Sequence, residues 1–343
     1  MTELSERKKK ILGTVVEEYI RTGEPVGSKG LITAAGLTVS SATVRNEMSE
    51  LISLGFLEQP HTSAGRIPSQ AGYRYYIDFL MKKLDVDELT KKVVNAGLSS
   101  AAGDPERLVI KAGEVLADIT KCACISTAPN GSAMIIKRIE LVPVGTHTAM
   151  LLLLTSNGIL KSRLCRLDCD IDAQMCEEFG NVVKRNIIGR QACELDTATM
   201  QTLAASLDFD YFSFLPLLAA VNELAASTAD SKVILGGSSN LFIHKDYGEN
   251  AAASLLEFLN KKEPVMQVID ISDNDFSIKI GRENMFRQLE QSSVIVSRYS
   301  VNGDKSGVVG LIGPTRINYE IIIPGIKYLS DMLGKLITQA LED

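Results

Sequence analysis

The chain has 343 residues, too many for one ordinary hydrophobic core, and its 45% hydrophobic and 23% charged residues exclude a disordered or fibrous protein. Its net charge of −6 argues at first against nucleic acid, yet Met1–Lys83 carry 11 basic and 9 acidic side chains, a balance of +2, so the other 260 residues carry −8. No stretch nears the roughly 18 apolar residues of a membrane span, and the charged start Met1–Lys10 lacks the apolar core of a secretory signal, so a cytoplasmic protein with no membrane partner is expected.

Leu4, Ile11, Leu12, Val15 and Tyr19 recur at helical spacing, with Ser5 placed to cap the start and Gly23 and Pro25 to end it. Ser28 opens a short second helix through Ala35, stopped by Gly36. The turn Leu37–Ser40 leads into a third helix, Ser41–Leu54, closed by Gly55, and so tight a junction is a helix-turn-helix. Phe56–Gln59 reads as a strand, Pro60–Arg66 as a loop of turn-forming and basic residues, and Ile67 as the start of the returning strand. That hairpin makes the loop a wing. A helix from Ser69, with Tyr73, Tyr76, Ile77 and Leu80 on one face, links this winged helix-turn-helix unit to the next domain.

Beyond Lys83 the chain turns polar and alanine-rich, and Asn95–Asp104 is the best linker candidate. Strands are expected at Cys122–Thr127, Ile135–Val144, Thr148–Thr155 and Ile159–Leu167, the last two joined by Asn157-Gly158. Helical patterns run from Ile171 to about Ala229, broken at Pro216, and Ala251–Asn260 adds another helix. Strand signals resume at Phe276–Ile280 and Val294–Val301, turn at Asn302-Gly303 and continue at Gly307–Ile312, before a final helix from Ile326 to Leu341. Two strand groups separated by a mostly helical block predict one α+β domain interrupted by an insertion. The expected division is 1–83 for the DNA-binding unit and linking helix, 84–170 and 270–343 for the two parts of the interrupted domain, and 171–269 for the insertion.

In the third helix, Val44, Met48 and Leu51 cluster within about 60° at 100° per residue and form the stripe to be buried, while Ala42, Asn46 and Ser49 point the opposite way. A small, polar outer face lets a helix approach the major groove, where asparagine suits adenine and arginine suits guanine edges or phosphate. Ser40, Ser41, Ala42, Thr43, Arg45, Asn46 and Ser49 are therefore the candidate groove residues. From the wing, His61, Thr62, Ser63 and Arg66 are candidates for phosphate contact. The six cysteines, Cys122, Cys124, Cys165, Cys169, Cys176 and Cys193, lack zinc-site spacing and read as reduced, mostly buried thiols. The three histidines, His61, His147 and His244, have no motif partner, and Walker and Gly-x-Ser-x-Gly motifs are missing from the sequence, so neither an enzyme nor a cofactor is expected. Gly236-Gly237 and Gly313 read as turns rather than phosphate cradles.

The runs Glu24-Pro25-Val26-Gly27-Ser28, Ser40 to Met48, Pro60 to Pro68 and Gly72-Tyr73-Arg74 resemble the HrcA family of heat-inducible transcription repressors. The later patches Ile280-Gly281-Arg282-Glu283-Asn284 and Gly313-Pro314-Thr315-Arg316 match it too. The resemblance implies a winged-helix domain, a GAF-like domain and an inserted domain that dimerises. It also implies repression of chaperone operons through an inverted-repeat operator, with activity supported by a GroEL-type chaperonin. The sequence departs from the family at Ile52, where an acidic residue is usual, and at Asn318, where aspartate is usual. Two other readings stand beside this one: a metabolite-responsive regulator sensing a ligand in the GAF-like domain, and a protein-docking module that does not bind DNA.

Overall fold

A computed structural model describes residues 4–61, 64–128, 134–156, 158–205, 214–228, 232–271 and 274–342. The amino-terminal unit agrees closely with its sequence signals. Helix α1 (Glu6–Thr22) starts where the Ser5 hydroxyl accepts from the Lys8 N–H, and it ends at Gly23, which takes the left-handed conformation. Helices α2 (Ser28–Ala35) and α3 (Ser41–Ser53) come next, but Gly27 rather than Ser28 occupies the cap of α2 and offers no side chain to it. Strands β1 (Leu57–Glu58) and β2 (Ile67–Pro68) pair antiparallel. Helix α4 (Gln70–Tyr75) runs into one π-helical turn, Tyr76–Leu80. Its cap, Ser69, joins two elements: the hydroxyl accepts from the Gly72 N–H at 3.0 Å and donates to the Gly55 carbonyl at 2.5 Å.

The linker expected at Asn95–Asp104 shrinks to a turn. Helix α5 (Glu88–Ser99) runs through its first half, and only 100–104 separate it from α6 (Pro105–Thr120). Thr90, Val94, Leu98 and Ala101 recur one turn apart and are buried, a stripe that alanine and serine neighbours conceal in a composition count. Asp87 and Asp104 cap the two helices, and Pro105 occupies the first helical position, where its missing N–H would have had no helical partner.

Five strands form the central antiparallel sheet, in the order β7 (Val233–Gly236), β3 (Ala123–Thr127), β10 (Asp304–Pro314), β9 (Ser292–Val301) and β8 (Phe276–Ile280). Asn302 and Gly303, both at positive φ, make the tight turn between β9 and β10. Side chains alternate between two cores. Ile295, Tyr299, Val309 and Leu311 face the helices α5, α6 and α12 (Tyr319–Glu342). Val294, Val296, Val308 and Ile312 face α10 (Glu249–Leu259) and α11 (Lys262–Ile269). Covered on both faces, β9 and β10 are buried almost without interruption, including Ser292, Ser293, Ser297 and Ser306. Helix α12 starts about two turns before the expected Ile326; Pro324 lies inside it and conceals its first part in the sequence pattern.

The remaining elements form a separate unit. Strands β4 (Ile136–Gly145), β5 (Thr148–Thr155) and β6 (Leu160–Arg166) make a three-stranded meander. Helices α7 (Ala173–Asn186), α8 (Thr197–Ala205) and α9 (Leu215–Thr228) stand on this unit, where Phe179, Val183, Leu217 and Val221 share a core with Ile139, Leu151 and Leu153. Two expectations are thereby corrected. The insertion is not mostly helical and does not begin at 171: the chain leaves the central sheet after β3 and rejoins it at β7. The segment 232–269, assigned to the insertion, instead supplies β7, α10 and α11 to the central unit. Pro216, where the helical run is expected to break, is the second residue of α9, which begins at Leu215. Asn157, expected in the turn between β5 and β6, lies outside the described residues.

All six cysteines are free thiols; Cys122, Cys124 and Cys165 are buried, Cys169 and Cys176 half-buried, and Cys193 exposed. Burial pushes the Cys122 thiol up to about 11, so it is protonated at neutral pH.

Candidate nucleic-acid interface

Helix α3 is aimed by what its buried side grips. Val44, Met48 and Leu51 enter the core formed by Ile11, Leu12, Val15 and Val16 of α1. The opposite side presents Ala42, Arg45, Asn46 and Ser49, all exposed. Ser40 caps the helix, its hydroxyl 3.1 Å from the Thr43 N–H and 2.9 Å from the Thr43 hydroxyl. Ser41 is half-buried because its hydroxyl meets that of Ser28 at 2.9 Å, tying the starts of α2 and α3 together. Ser49 donates to the Arg45 carbonyl at 3.0 Å. The expected groove residues thus divide: Ser40, Ser41 and Thr43 hold the junction, whereas Ala42, Arg45 and Asn46 are free of side-chain bonds among the described residues.

The loop between β1 and β2 is clipped to the turn before α2. Val26 and Arg66 exchange two backbone hydrogen bonds of 2.9 Å. Gly65 makes that approach possible, since a Cβ there would stand 2.6 Å from the Pro25 and Val26 backbone. The Arg66 guanidinium folds back to donate to the Ala64 carbonyl at 3.0 Å. His61 is exposed at the tip; Thr62 and Ser63, also expected to contact phosphate, lie outside the described residues. Arg45 and Arg66 both line a cleft of ≈ 390 Å³ that also takes in Gly27 and Ser28. Two cations and the uncapped start of α2 therefore converge on one groove, a favourable setting for an anion.

One functional residue is not legible in the sequence pattern. Glu47 is 7% exposed on α3, although a carboxylate there would be expected to face solvent. The Arg7 guanidinium reaches it across from α1, with Nε 2.8 Å from Oε1. Lys8 stands 3.9 Å from its other oxygen and 2.6 Å from Glu50. Two cations of the basic run at the chain start, Arg7 and Lys8, thus reach across to α3. The available signal is the acidic pair three residues apart, Glu47 and Glu50, facing a basic segment on a neighbouring helix.

The HrcA C-terminal domain model matches residues 106–323. A heat-inducible transcription repressor HrcA of Caldanaerobacter subterraneus subsp. tengcongensis is 31% identical over 341 residues, covering 99% of each chain. The chain belongs to the HrcA family. The repressor HrcA of Carboxydothermus hydrogenoformans is 32% identical, covering 97% of this chain and 98% of its own. Among solved structures, a hypothetical protein determined at 2.2 Å matches 98% of this chain and 100% of its own, with a TM-score of 0.68 and 25% identity. The family domain model begins in α6, so it is the full-length relatives that extend the HrcA likeness to α3 and the wing.

The remaining HrcA-like patches bring the amino-terminal unit against the central sheet unit. Arg74 on α4 donates from Nε to Glu283 at 3.0 Å and from Nη2 to the Ile278 carbonyl at 2.7 Å. Gln70 accepts from the Arg282 N–H at 2.9 Å, and Tyr76 donates to Glu320 at 3.0 Å. Ile280 to Asn284 is therefore a socket for α4. Asn318 takes the cap of α12, its side-chain oxygen 3.4 Å from the Ile321 N–H, and asparagine caps a helix about as well as the aspartate usual in the family. Ile52 packs half-buried against the core, which explains why an apolar residue is accommodated there.

The clip at Gly65 is open to test. Gly65→Ala places a methyl group against backbone that has no rotamer to yield, so it should destabilise the unit by about 1–3 kcal/mol. The amide protons of Val26 and Arg66 should exchange with solvent markedly faster. Unchanged exchange at both would show that the wing is not fixed this way.

Proposed function

We propose that the chain is a dimeric, sequence-specific repressor of heat-shock chaperone operons. In this reading the amino-terminal unit is a winged helix, the central sheet unit is GAF-like, and the inserted unit dimerises. The observation that carries DNA binding is the small, exposed face of α3 beside a cleft shared by Arg45 and Arg66. Asn46, one turn from Ala42, sits where a side chain could read a base edge. Arg66, once released from the Ala64 carbonyl, serves as a phosphate contact.

The dimer rests on the open side of the three-stranded meander. Val142, Met150 and Leu164 stand opposite one another across β4, β5 and β6, and all three are exposed, as is Leu160. Half-buried Leu152 and Leu154 extend the patch. A second copy meeting it about a two-fold axis would bury the same residues on both sides and give two α3 helices related by the symmetry of an inverted repeat. This assigns dimerisation to strands lying outside 171–269, the block to which the sequence pattern points. The chaperonin enters through topology: β3 must find β7 and β10 across more than a hundred residues with a whole unit folded between, and such closure is slow and exposes apolar surface.

With DNA from upstream of a chaperonin operon, Asn46→Ala should weaken binding by about 1–3 kcal/mol and affect random DNA much less. Arg66→Ala should weaken both and lower the salt slope by about one. Equal losses on both DNAs for Asn46→Ala would reduce it to a positioning contact. Met150→Asp should yield monomers in sedimentation with weak operator affinity; a variant that stays dimeric would move the interface elsewhere. Refolding at constant temperature with chaperonin and ATP should raise the fraction able to bind operator. An unchanged fraction would leave direct thermal inactivation as the better account.

A further inference from the structure

We infer that Arg316 is a positioning residue for operator binding: it fixes the angle at which the DNA-binding unit is carried by the central sheet unit. This rests on the dimeric-operator reading above. Three elements from distant parts of the chain meet at its guanidinium. Nε and Nη2 donate to the two oxygens of Asp246 at 2.9 and 3.0 Å, a bidentate pair. Nη1 donates to the Ile20 carbonyl at 3.1 Å. That carbonyl lies in the last turn of α1, where the helix leaves acceptors unsatisfied and its dipole favours a cation. A Cβ on Gly23 would lie 3.2 Å from Cζ, so the guanidinium also rests directly on the helix cap.

The geometry is that of a strut rather than a surface ion pair. Both side chains are about one quarter exposed, and each of the three guanidinium nitrogens donates in a fixed direction. Arg316 lies between β10 and α12, while Asp246 precedes α10, so both ends of the carboxylate clasp belong to the central unit. The Ile20 hydrogen bond and the contact with the Gly23 cap belong to the amino-terminal unit. The guanidinium's partners are Asp246 and Ile20, neither of them in α3 or the wing, so its loss should leave one half-site contact surface intact. What it should change is the relation between the two heads of a dimer. In a two-headed protein the second binding event gains from tethering only while the heads match the spacing of the half-sites.

The test uses the full chain and three duplexes. They are a single half-site, the inverted repeat from upstream of a chaperonin operon, and that repeat with its spacer lengthened by about two base pairs. Arg316→Ala should bind the half-site like the unsubstituted chain and lose about tenfold or more on the natural repeat, out of the roughly 10²–10⁴ that tethering can supply. Its preference for the natural spacer over the longer one should collapse. Arg316→Lys should not rescue it, since an ammonium cannot hold two carboxylate oxygens and a carbonyl in one plane. Asp246→Asn, which keeps the shape, should move affinity in the same direction by less, and it carries the test should thermal melting show Arg316→Ala to be misfolded. Equal losses on half-site and repeat, or an unaltered spacer preference in folded protein, would overturn the inference. An unsubstituted chain that binds the half-site and the repeat equally would instead overturn the dimeric-operator reading beneath it.

Discussion

The structure depends on an apolar core that does not stop at the edge of the amino-terminal unit. Leu12, Val16, Tyr73 and Tyr76 belong to the same buried cluster as Leu108, Leu311, Tyr319 and Leu329 of the central unit. Tyr73 and Tyr319 meet with ring centroids 6.1 Å apart, and burial pushes the Tyr73 phenol well above its usual range. A small three-helix unit buries little surface of its own, and sharing a core with its neighbour is one way to gain the rest. The consequence is mechanical. Polar struts at the margin, Arg74 with Glu283 and Arg316 with the Ile20 carbonyl, then set the angle of a joint whose apolar centre already resists separation.

That joint also explains how the charge is used. The amino-terminal unit is basic only by a small margin, and Arg7, Lys8 and Arg74 are engaged by carboxylates. Glu283 illustrates the balance at such a strut. Burial raises its pKa, but hydrogen bonds from Arg74 and the Ile280 N–H outweigh it and hold the carboxyl below its ordinary value. Its contribution to the joint is therefore present above the ordinary carboxylate range and is lost as pH falls through the lowered value. Two cations, Arg45 and Arg66, line the cleft beside α3.

The inserted unit obeys a similar logic at a larger scale. Its three strands are consecutive, so each pairs with its neighbour through a short connection, and its helices return to cover one face. A unit built from such local contacts can be spliced between β3 and β7 without disturbing the sheet that receives it. The face left open carries exposed Val142, Met150, Leu160 and Leu164, an apolar patch.

By itself the sequence determined the local elements wherever periodicity and caps agree. Ser5, Gly23, Gly36 and Ser40 mark helix ends that the backbone obeys, and the apolar run of β9 and the Asn302-Gly303 turn mark a hairpin. It also determined the outer face of α3, because Val44, Met48 and Leu51 leave one side for solvent. Only the tertiary structure decided which strands share a sheet. Both β3 and β5 read as short apolar strands, and nothing local says that one joins β10 while the other joins β4 and β6. Nor could the sequence assign Glu47, Arg74 and Arg316, whose partners lie 40, 209 and 70 residues away. An ion pair leaves no periodic trace along the chain; its meaning depends on distances that exist only after the units have packed.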